Sequence, residues 1–376
     1  MKSPRVFFYV QHLLGIGHLA RASHISRALV DDGFDVSMVT GGSNVRGFPG
    51  PGVKQIALPP LLAGNAGFNG LVDGNGKPAD DDYLNNRRKL LLEAFHEVQP
   101  DIVIVEAFPF GRRQMRFELM PLLEAIKTAS PRPILLASVR DILQERTKPG
   151  RDEETVSLIK SHFDHVLVHG DPNFIALPDT FPLAELIADK VLYTGLVTGP
   201  APSPADDNFD IVVSAGGGAV GAELLRSAYQ CAVQSGFKGS WCLIAGPNLP
   251  EPDFAALSAE APDNVTVVRF RQDFPGLLQN ARLSISQAGY NTVCDILRAK
   301  CRSILVPFTA GGETEQSVRA TRLESLGLAI ALPEGGLNSD ILTSAIASAV
   351  NEAHWPKHNL DLNGAQQTAA LLRRML

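Results

Sequence analysis

The sequence predicts an α/β protein made of two doubly wound domains, and three observations predict it. Short apolar runs alternate with helix-spaced segments over the first half of the chain. The alternation breaks at Thr198-Gly-Pro-Ala-Pro-Ser-Pro-Ala-Asp-Asp207 and then restarts, which reads as an interdomain connector. Glycine-bearing turns follow strand ends in both halves. A length of 376 residues is long for one core and comfortable for two α/β domains.

The first unit justifies the βαβ reading. Val6-Phe-Phe-Tyr-Val10 is a buried-strand run, and Gln11 to Gly17 is a loop. From His18, Leu19, Ala22, Ile25 and Leu29 fall at helical spacing. Asp31-Asp32-Gly33 stops that helix, and Phe34, Val36 and Met38 open the next strand. A strand–helix–strand unit of this kind implies a parallel pair with a right-handed crossover. Further strands are expected at Ile102–Val105, Ile134–Ser138, Val166–Val168 and Val191–Tyr193. A long glycine-rich stretch, Pro59 to Tyr83, reads as an irregular loop, functional or mobile, with Asp80-Asp-Asp82 as solvated charge within it. After the connector, strands are expected at Phe209–Ser214, Ser240–Ala245, Val265–Phe270, Leu283–Ser286, Ile304–Pro307 and Ala329–Leu332, with a last helix over Leu360–Leu376. The expected domains are therefore 1–198, a linker 199–208, 209–350, and a C-terminal helical tail 351–376.

Composition removes several function classes. The net charge of −6 argues against a general nucleic-acid binder, which needs a basic face for phosphates. Cys231, Cys242, Cys294 and Cys301 form no C-x-x-C pair, so neither a zinc site nor a redox motif is indicated, and no metal is expected. The run at Val6–Val10 is too short for a signal-peptide core, and no stretch is long enough to cross a bilayer. A cytoplasmic protein is expected, with peripheral contact at the inner face of a membrane left open.

Two glycine patterns follow strands and open helices. Gly15-Ile-Gly17-His-Leu-Ala20 fits G-x-G-x-x-A, and Gly216-Gly-Gly218-Ala-Val-Gly221 fits G-x-G-x-x-G. A dinucleotide site also needs an acid about 20 residues on. Thr40-Gly41-Gly42 and Ala245-Gly246-Pro247 stand there instead, which argues against an NAD or FAD oxidoreductase. A third, longer constellation reads Ser286-Gln-Ala-Gly-Tyr-Asn-Thr-Val-Cys-Asp295, then Ile304-Leu-Val-Pro-Phe308, then Gly311-Gly-Glu-Thr-Glu-Gln316. Asn291 and Thr292 would sit in a helix's first turn, where free amides suit a diphosphate, with Asp295 one turn further within reach of a ribose diol. Glu315 and Gln316 follow the next strand, at the sheet edge where α/β ligands bind.

On these motifs the C-terminal half resembles the MurG-like GT-B glycosyltransferases, with their family 28 C-terminal domain, and is similar to the signature of the UDP-sugar transferases. The resemblance implies two Rossmann-like domains facing across a cleft. It implies donor binding by Gln287, Gly289, Asn291, Thr292, Asp295, Glu315 and Gln316, by the glycine turn Gly216, Gly217 and Gly218, and by Phe270 and Arg271 beside the base. Two positions depart from the pattern: Gln287 replaces a histidine and lacks its cationic form, and Asp295 is one methylene shorter than the usual glutamate. In the N-terminal half only Gly15-Ile-Gly17-His18 carries the resemblance. It implies that His18 is the general base, for which an imidazole is suited. Glu106 is a candidate to orient it. Arg112 and Arg140 follow strand ends and, with Gly15 and Gly17, are candidates to bind an acceptor carrying phosphate or acid; a solvated basic helix start explains them equally well. The other histidines, such as His96 and His162, are read as lying in helical stretches without a motif, and His12 and His24 are nearby but off-pattern.

The expectation is an inverting, metal-independent hexosyltransferase. It takes a UDP-sugar as co-substrate, with no cofactor, and a carbohydrate or lipid-linked acceptor. A nucleotide-sugar hydrolase on the same fold, and a two-domain sugar-binding receptor, are the alternatives.

Overall fold

The computed structural model describes residues 3–13, 15–64, 70–146, 148–216, 221–234, 237, 239–246, 249–351 and 357–376. Two compact units result: residues 1–197 together with 360–376, and residues 198–359.

The first unit runs β1 (Arg5–Val10), α1 (Gly17–Asp31), β2 (Asp35–Thr40), β3 (Lys54–Ala57), β4 (Leu62–Ala63), β5 (Leu71–Val72), α2 (Asp81–Val98), β6 (Ile102–Glu106), α3 (Arg116–Thr128), β7 (Ile134–Arg140), α4 (Arg151–His162), β8 (His165–His169) and β9 (Val191–Tyr193). Its seven-stranded sheet has the order β3-β2-β1-β6-β7-β8-β9, and every pair in it is parallel. A parallel sheet is covered on both faces, which is why its strands read as unbroken apolar runs. Val6, Phe8 and Val10 enter one core with Ile102 and Ile104, while Phe7 and Tyr9 enter the opposite core with Val103 and Val105.

The second unit runs β10 (Ile211–Ser214), α5 (Ala222–Gln234), β11 (Trp241–Ile244), α6 (Glu251–Ala259), β12 (Val265–Val268), α7 (Phe274–Asn280), β13 (Leu283–Ser286), α8 (Tyr290–Ala299), β14 (Ser303–Leu305), α9 (Glu315–Ser325), β15 (Ile330–Ala331) and α10 (Ser339–Asn351). Its six strands are all parallel, in the order β12-β11-β10-β13-β14-β15. In both sheets the strand order reverses beside the first strand of the unit, between β1 and β6 and between β10 and β13. Such a switch point opens a crevice at the carboxyl ends of the strands.

Three features differ from the sequence expectation. The edge strand β3 was not foreseen, because its burial is slight and its apolar signal short. The stretch read as irregular from Pro59 to Tyr83 holds the antiparallel pair β4–β5 and the start of α2. Asp80 is not merely solvated charge: its Oδ1 accepts the Tyr83 amide at 2.9 Å and caps α2, with Asp81 and Asp82 in the first turn, where the helix dipole favours acids.

The last helix, α11 (Gly364–Met375), belongs to the first unit, where it lies against α1. Ala365, Ala369 and Leu372 are buried there with Leu19, Ala22 and Ile25. Gly364 permits this, because a Cβ on it would lie 2.4 Å from the Gly195 carbonyl oxygen. Arg373 Nε reaches Asp32 Oδ2 at 3.1 Å and its guanidinium covers the Phe34 ring. Among the described residues no helix is long and apolar enough to cross a membrane.

Candidate active site

At the first switch point, α1 follows β1 through the glycine loop, and no side chain caps its N-terminus. A Cβ on Gly15 would meet open space, and Gly17 begins the helix. His18, in the first turn, places Nδ1 2.9 Å from Oε1 of Glu106, the last residue of β6. The His18 side chain keeps 17% exposure while Glu106 has none. Arg21, one turn along α1, is also buried and forms an ion pair with the same Glu106 oxygen. The other oxygen, Oε2, accepts the Ser138 hydroxyl at 2.5 Å.

Electrostatics keep this cluster in one protonation state. Burial works to raise the Glu106 carboxyl, but Arg21 and His18 outweigh it and hold the group well below the usual carboxylate range. Burial, and then the Arg112 guanidinium, push His18 down to about 3 against the pull of Glu106. The pair is thus a neutral imidazole on an ionised carboxylate across the neutral pH range. Such a carboxylate orients an imidazole and supports positive charge on it as it accepts a proton.

Arg112 Nε donates to the Gln11 carbonyl at 2.9 Å, and burial lowers its guanidinium to about 10, with Arg140 adding to the shift and Glu106 opposing it. Arg140 ends β7 in register with His169. The structure therefore brings His18, Glu106, Arg112 and Arg140 to adjoining strand ends. The neighbours Arg113 and Arg116 both pair with Glu154, so they serve packing rather than an open basic face.

Beneath the loop lies a second buried network. Arg87 Nε meets Glu118 Oε2 at 2.7 Å, Arg87 Nη2 meets Gln11 Oε1 at 2.6 Å, and Tyr9 Oη meets Glu118 Oε1 at 2.5 Å. Gln11 Nε2 in turn donates to the carbonyls of His12, Gly41 and Leu61. These bonds anchor the backbone leaving β1 and β2.

At the second switch point, Ser214 of β10 and Ser286 of β13 are register partners, and the turns after both strands meet. Gly216 has φ +73°, and Gln287 Oε1 stands 3.5 Å from where its Cβ would be. Gln287 is buried, and its Nε2 has no hydrogen-bond partner among the described residues. Gly217 and Gly218 lie outside the described residues. Gly289 precedes α8, whose N-terminus has no side-chain cap, and Asn291 and Thr292 occupy its first turn. Asp295, one turn on, is half-buried, and burial pushes its carboxyl up to about 7.

Glu315 is buried at the start of α9, where its Oε1 accepts from Arg319 Nη2 at 2.8 Å. Arg319 Nη1 donates to the Ala288 carbonyl at 2.9 Å and lies over the Tyr290 ring, so it ties α9 to the turn before α8. Gln316 Oε1 accepts the Phe308 amide at 3.2 Å, holding the loop after β14. Phe270 is 65% exposed beyond β12, and Arg271 is paired with Asp207 and Asp273 at 2.7 Å each. Since β11 and β10 stand between β12 and β13, these two residues lie toward the sheet edge from the Gln287–Asp295 group.

Sequence reasoning missed Arg21, Ser138, His169 and Arg319. It set the remaining histidines aside as motif-free and helical. His169 corrects this: it ends strand β8, fully buried, with Nε2 2.9 Å from Ser138 Oγ and Nδ1 2.9 Å from Thr194 Oγ1. Only the three-residue step from His18 to Arg21 gave a usable signal. Among the described residues no cluster of three or more His, Cys, Asp or Glu could hold a metal ion.

Residues 212–373 match the family described as glycosyltransferase family 28 C-terminal domain. Among curated proteins, the chain is similar to the UDP-N-acetylglucosamine–N-acetylmuramyl-(pentapeptide) pyrophosphoryl-undecaprenol N-acetylglucosamine transferases. It is 28% identical over 100 residues to that of Prochlorococcus marinus strain NATL1A, covering 27% of this chain and 28% of the relative. It is 27% identical over 176 residues to that of Vibrio atlanticus strain LGP32, covering 46% and 50%. The chain thus spans half or less of the length of these relatives. Among solved structures it is similar to CalG4, the calicheamicin glycosyltransferase, at 16% identity and TM-score 0.62, covering 100% of this chain and 94% of that one. It is similar to MurG of Acinetobacter baumannii at 17% identity and TM-score 0.61, covering 99% and 100%. These likenesses show the fold: two Rossmann-like sheets of the GT-B class.

Proposed function

We propose, from the match of residues 212–373 to the glycosyltransferase family 28 C-terminal domain, that the protein moves a sugar from a UDP-sugar to a carbohydrate or lipid-linked acceptor. The observation that carries this reading is the meeting, at one switch point, of an uncapped helix N-terminus with Gln287, Asn291, Thr292 and Asp295. In it, the α8 amides and Thr292 hold the diphosphate, Asp295 takes the ribose hydroxyls, and Gln316 faces the sugar. Glu315 reaches the sugar by exchanging its Arg319 bond. The Gln287 amide, buried with an unused donor, would give a hydrogen bond to the phosphate.

In the reaction, His18 Nε2 takes the proton of the acceptor hydroxyl. The hydroxyl oxygen bonds to the anomeric carbon from the face opposite the diphosphate, and the carbon–oxygen bond to UDP breaks. The configuration inverts. Negative charge builds on the leaving diphosphate, where fixed amides stabilise it without a metal ion. The proton resides on an imidazolium supported by Glu106. The acceptor's anionic portion would pair with Arg112 and Arg140 beside the Gly15–Gly17 loop. Such an acceptor is compatible with an enzyme working at a membrane face.

A panel of UDP- and dTDP-sugars, read by diphosphonucleoside release with and without cell-extract acceptors, tests the reading. Acceptor-dependent release from a UDP-sugar is expected. Stoichiometric release of free sugar without acceptor would make the protein a hydrolase. Binding of free sugar with no nucleotide effect would make it a receptor. His18→Ala should lower kcat by about 10²–10⁴-fold while donor KM changes little. Asp295→Ala should chiefly raise donor KM. Full turnover by the His18→Ala protein would remove that residue from the mechanism.

A further inference from the structure

Behind His18 the buried polar side chains form one connected line that ends on Glu106 and whose other members the reaction itself does not use. Thr194 Oγ1 meets His169 Nδ1 at 2.9 Å, His169 Nε2 meets Ser138 Oγ at 2.9 Å, and Ser138 Oγ meets Glu106 Oε2 at 2.5 Å. Thr194, His169, Ser138 and Glu106 are all essentially inaccessible to solvent. The four come from β8, β7, β6 and the residue after β9, so the line runs across neighbouring strand ends of one sheet.

Counting protons gives the line a direction. Glu106 is ionised and can only accept, so the Ser138 hydroxyl must donate to it. A hydroxyl has one proton, so at His169 Ser138 Oγ must be the acceptor. His169 therefore carries its proton on Nε2. Burial, with Arg21 adding to it, lowers His169 to about 3, so the ring is neutral and Nδ1 carries no proton; Thr194 Oγ1, beside it at 2.9 Å, also reaches the Gly195 carbonyl at 3.0 Å. His169 and Ser138 thus each donate toward Glu106.

The two carboxylate oxygens are loaded unequally. Arg21 and His18 both approach Oε1, and Ser138 approaches Oε2. We propose that Ser138 and His169 are positioning residues, whose one-way line of donors occupies Glu106 Oε2 and so holds both Arg21 and the Nδ1–H of His18 on Oε1, leaving the His18 Nε2 lone pair toward substrate. Without the Ser138 hydroxyl, the Arg21 guanidinium is free to span both oxygens, as arginine and carboxylate prefer, and the imidazole loses its anchor. The role in turnover rests on His18 being the base; the tautomers do not.

Nitrogen-15 NMR of the full chain labelled at histidine reads the tautomers directly, with His18 and His169 assigned by their disappearance in His18→Ala and His169→Phe proteins. The wild-type protein should show His18 protonated at Nδ1 and His169 at Nε2. In Ser138→Ala, His18 should become a tautomer mixture, and kcat should fall about tenfold or more with donor KM within twofold. Ser138→Thr, which keeps the hydroxyl, should recover both. A wild-type His169 protonated at Nδ1 overturns the proposal without any variant. So does a folded Ser138→Ala protein, judged by near-ultraviolet dichroism, with unchanged kcat and a pure Nδ1–H His18. Full turnover by His18→Ala, by contrast, removes the base reading above while the nitrogen spectra still decide the line.

Discussion

His18 and Glu106 lie 88 positions apart and meet at 2.9 Å, which illustrates what a single residue's surroundings add to its identity. The glycine loop around His18 was legible because a glycine pattern between a strand run and a helix-spaced segment is written in consecutive residues. Asn291, Thr292 and Asp295 were legible because helix spacing places them together. Ser138 and His169 had no such local mark, since their partners are supplied by strand order. Two predictions belong to this scale. His18 and His169 both sit at about 3 in the folded chain, against about 6.5 when unfolded. Between those values the unfolded chain binds more protons, so stability falls as pH drops from 6.5 toward 3, by up to about 1.4 kcal/mol per pH unit for each ring. Denaturant unfolding of wild type and His18→Gln from pH 7 to 4 should show the shallower slope in the variant; equal slopes would place the titration elsewhere. Asp295 behaves in the opposite sense. Its carboxyl is raised to about 7, so its burial is free of cost below about pH 4 and destabilises increasingly as pH rises through 7. Asp295→Asn should therefore stabilise the protein at pH 8 by on the order of 1 kcal/mol or more and leave it unchanged at pH 4, measured by melting curves at both values.

At the scale of elements, the parallel strands were the most readable parts, because burial on two faces writes itself as an unbroken apolar run such as Val6–Val10. Short edge elements were the least readable. In β3, Lys54 and Gln55 are exposed, and β4 and β5 are two residues long each, so none of the three carries much pattern. The acidic run at Asp80 shows how a correct composition argument can still miss an element. Three acids in a glycine-rich neighbourhood look like solvated charge until the Tyr83 amide is seen to need an acceptor. Replacing that cap by Asp80→Ala should cost about 1 kcal/mol, read from a denaturation midpoint at unchanged slope. At the other end of the chain, Gly364→Ala should cost about 1–3 kcal/mol, since the added methyl meets a backbone carbonyl rather than a yielding side chain. A melting temperature equal to that of wild type would mean that α11 can shift to admit it.

At the scale of the whole molecule, the two sheets repeat one design. Each reverses its strand order beside its first strand, and each gathers its functional candidates at that reversal, His18 with Glu106 in one and Gln287 with Asp295 in the other. That repetition was readable from the alternation of runs and from the Pro-rich connector. The membership of the final helix was not, because nothing in an amphipathic helix states which sheet it will cover. Under the proposed function UDP should bind the second unit alone, so saturating UDP should slow amide hydrogen exchange around residues 286–295 and leave the β1–α1 loop unaffected. Protection confined to the first unit would refute the donor assignment.

The placement of α11 also bears on how the polypeptide matures. Residues 198–359 form a continuous stretch, whereas the unit begun earlier on the ribosome needs residues 360–376 to cover Leu19, Ala22 and Ile25. During synthesis the later-started unit can finish first, and the earlier one waits with an oily stripe uncovered until residues 360–376 have been made. That interval is when a nascent chain of this protein is most in need of a chaperone, and a stop codon before residue 364 would make the interval permanent.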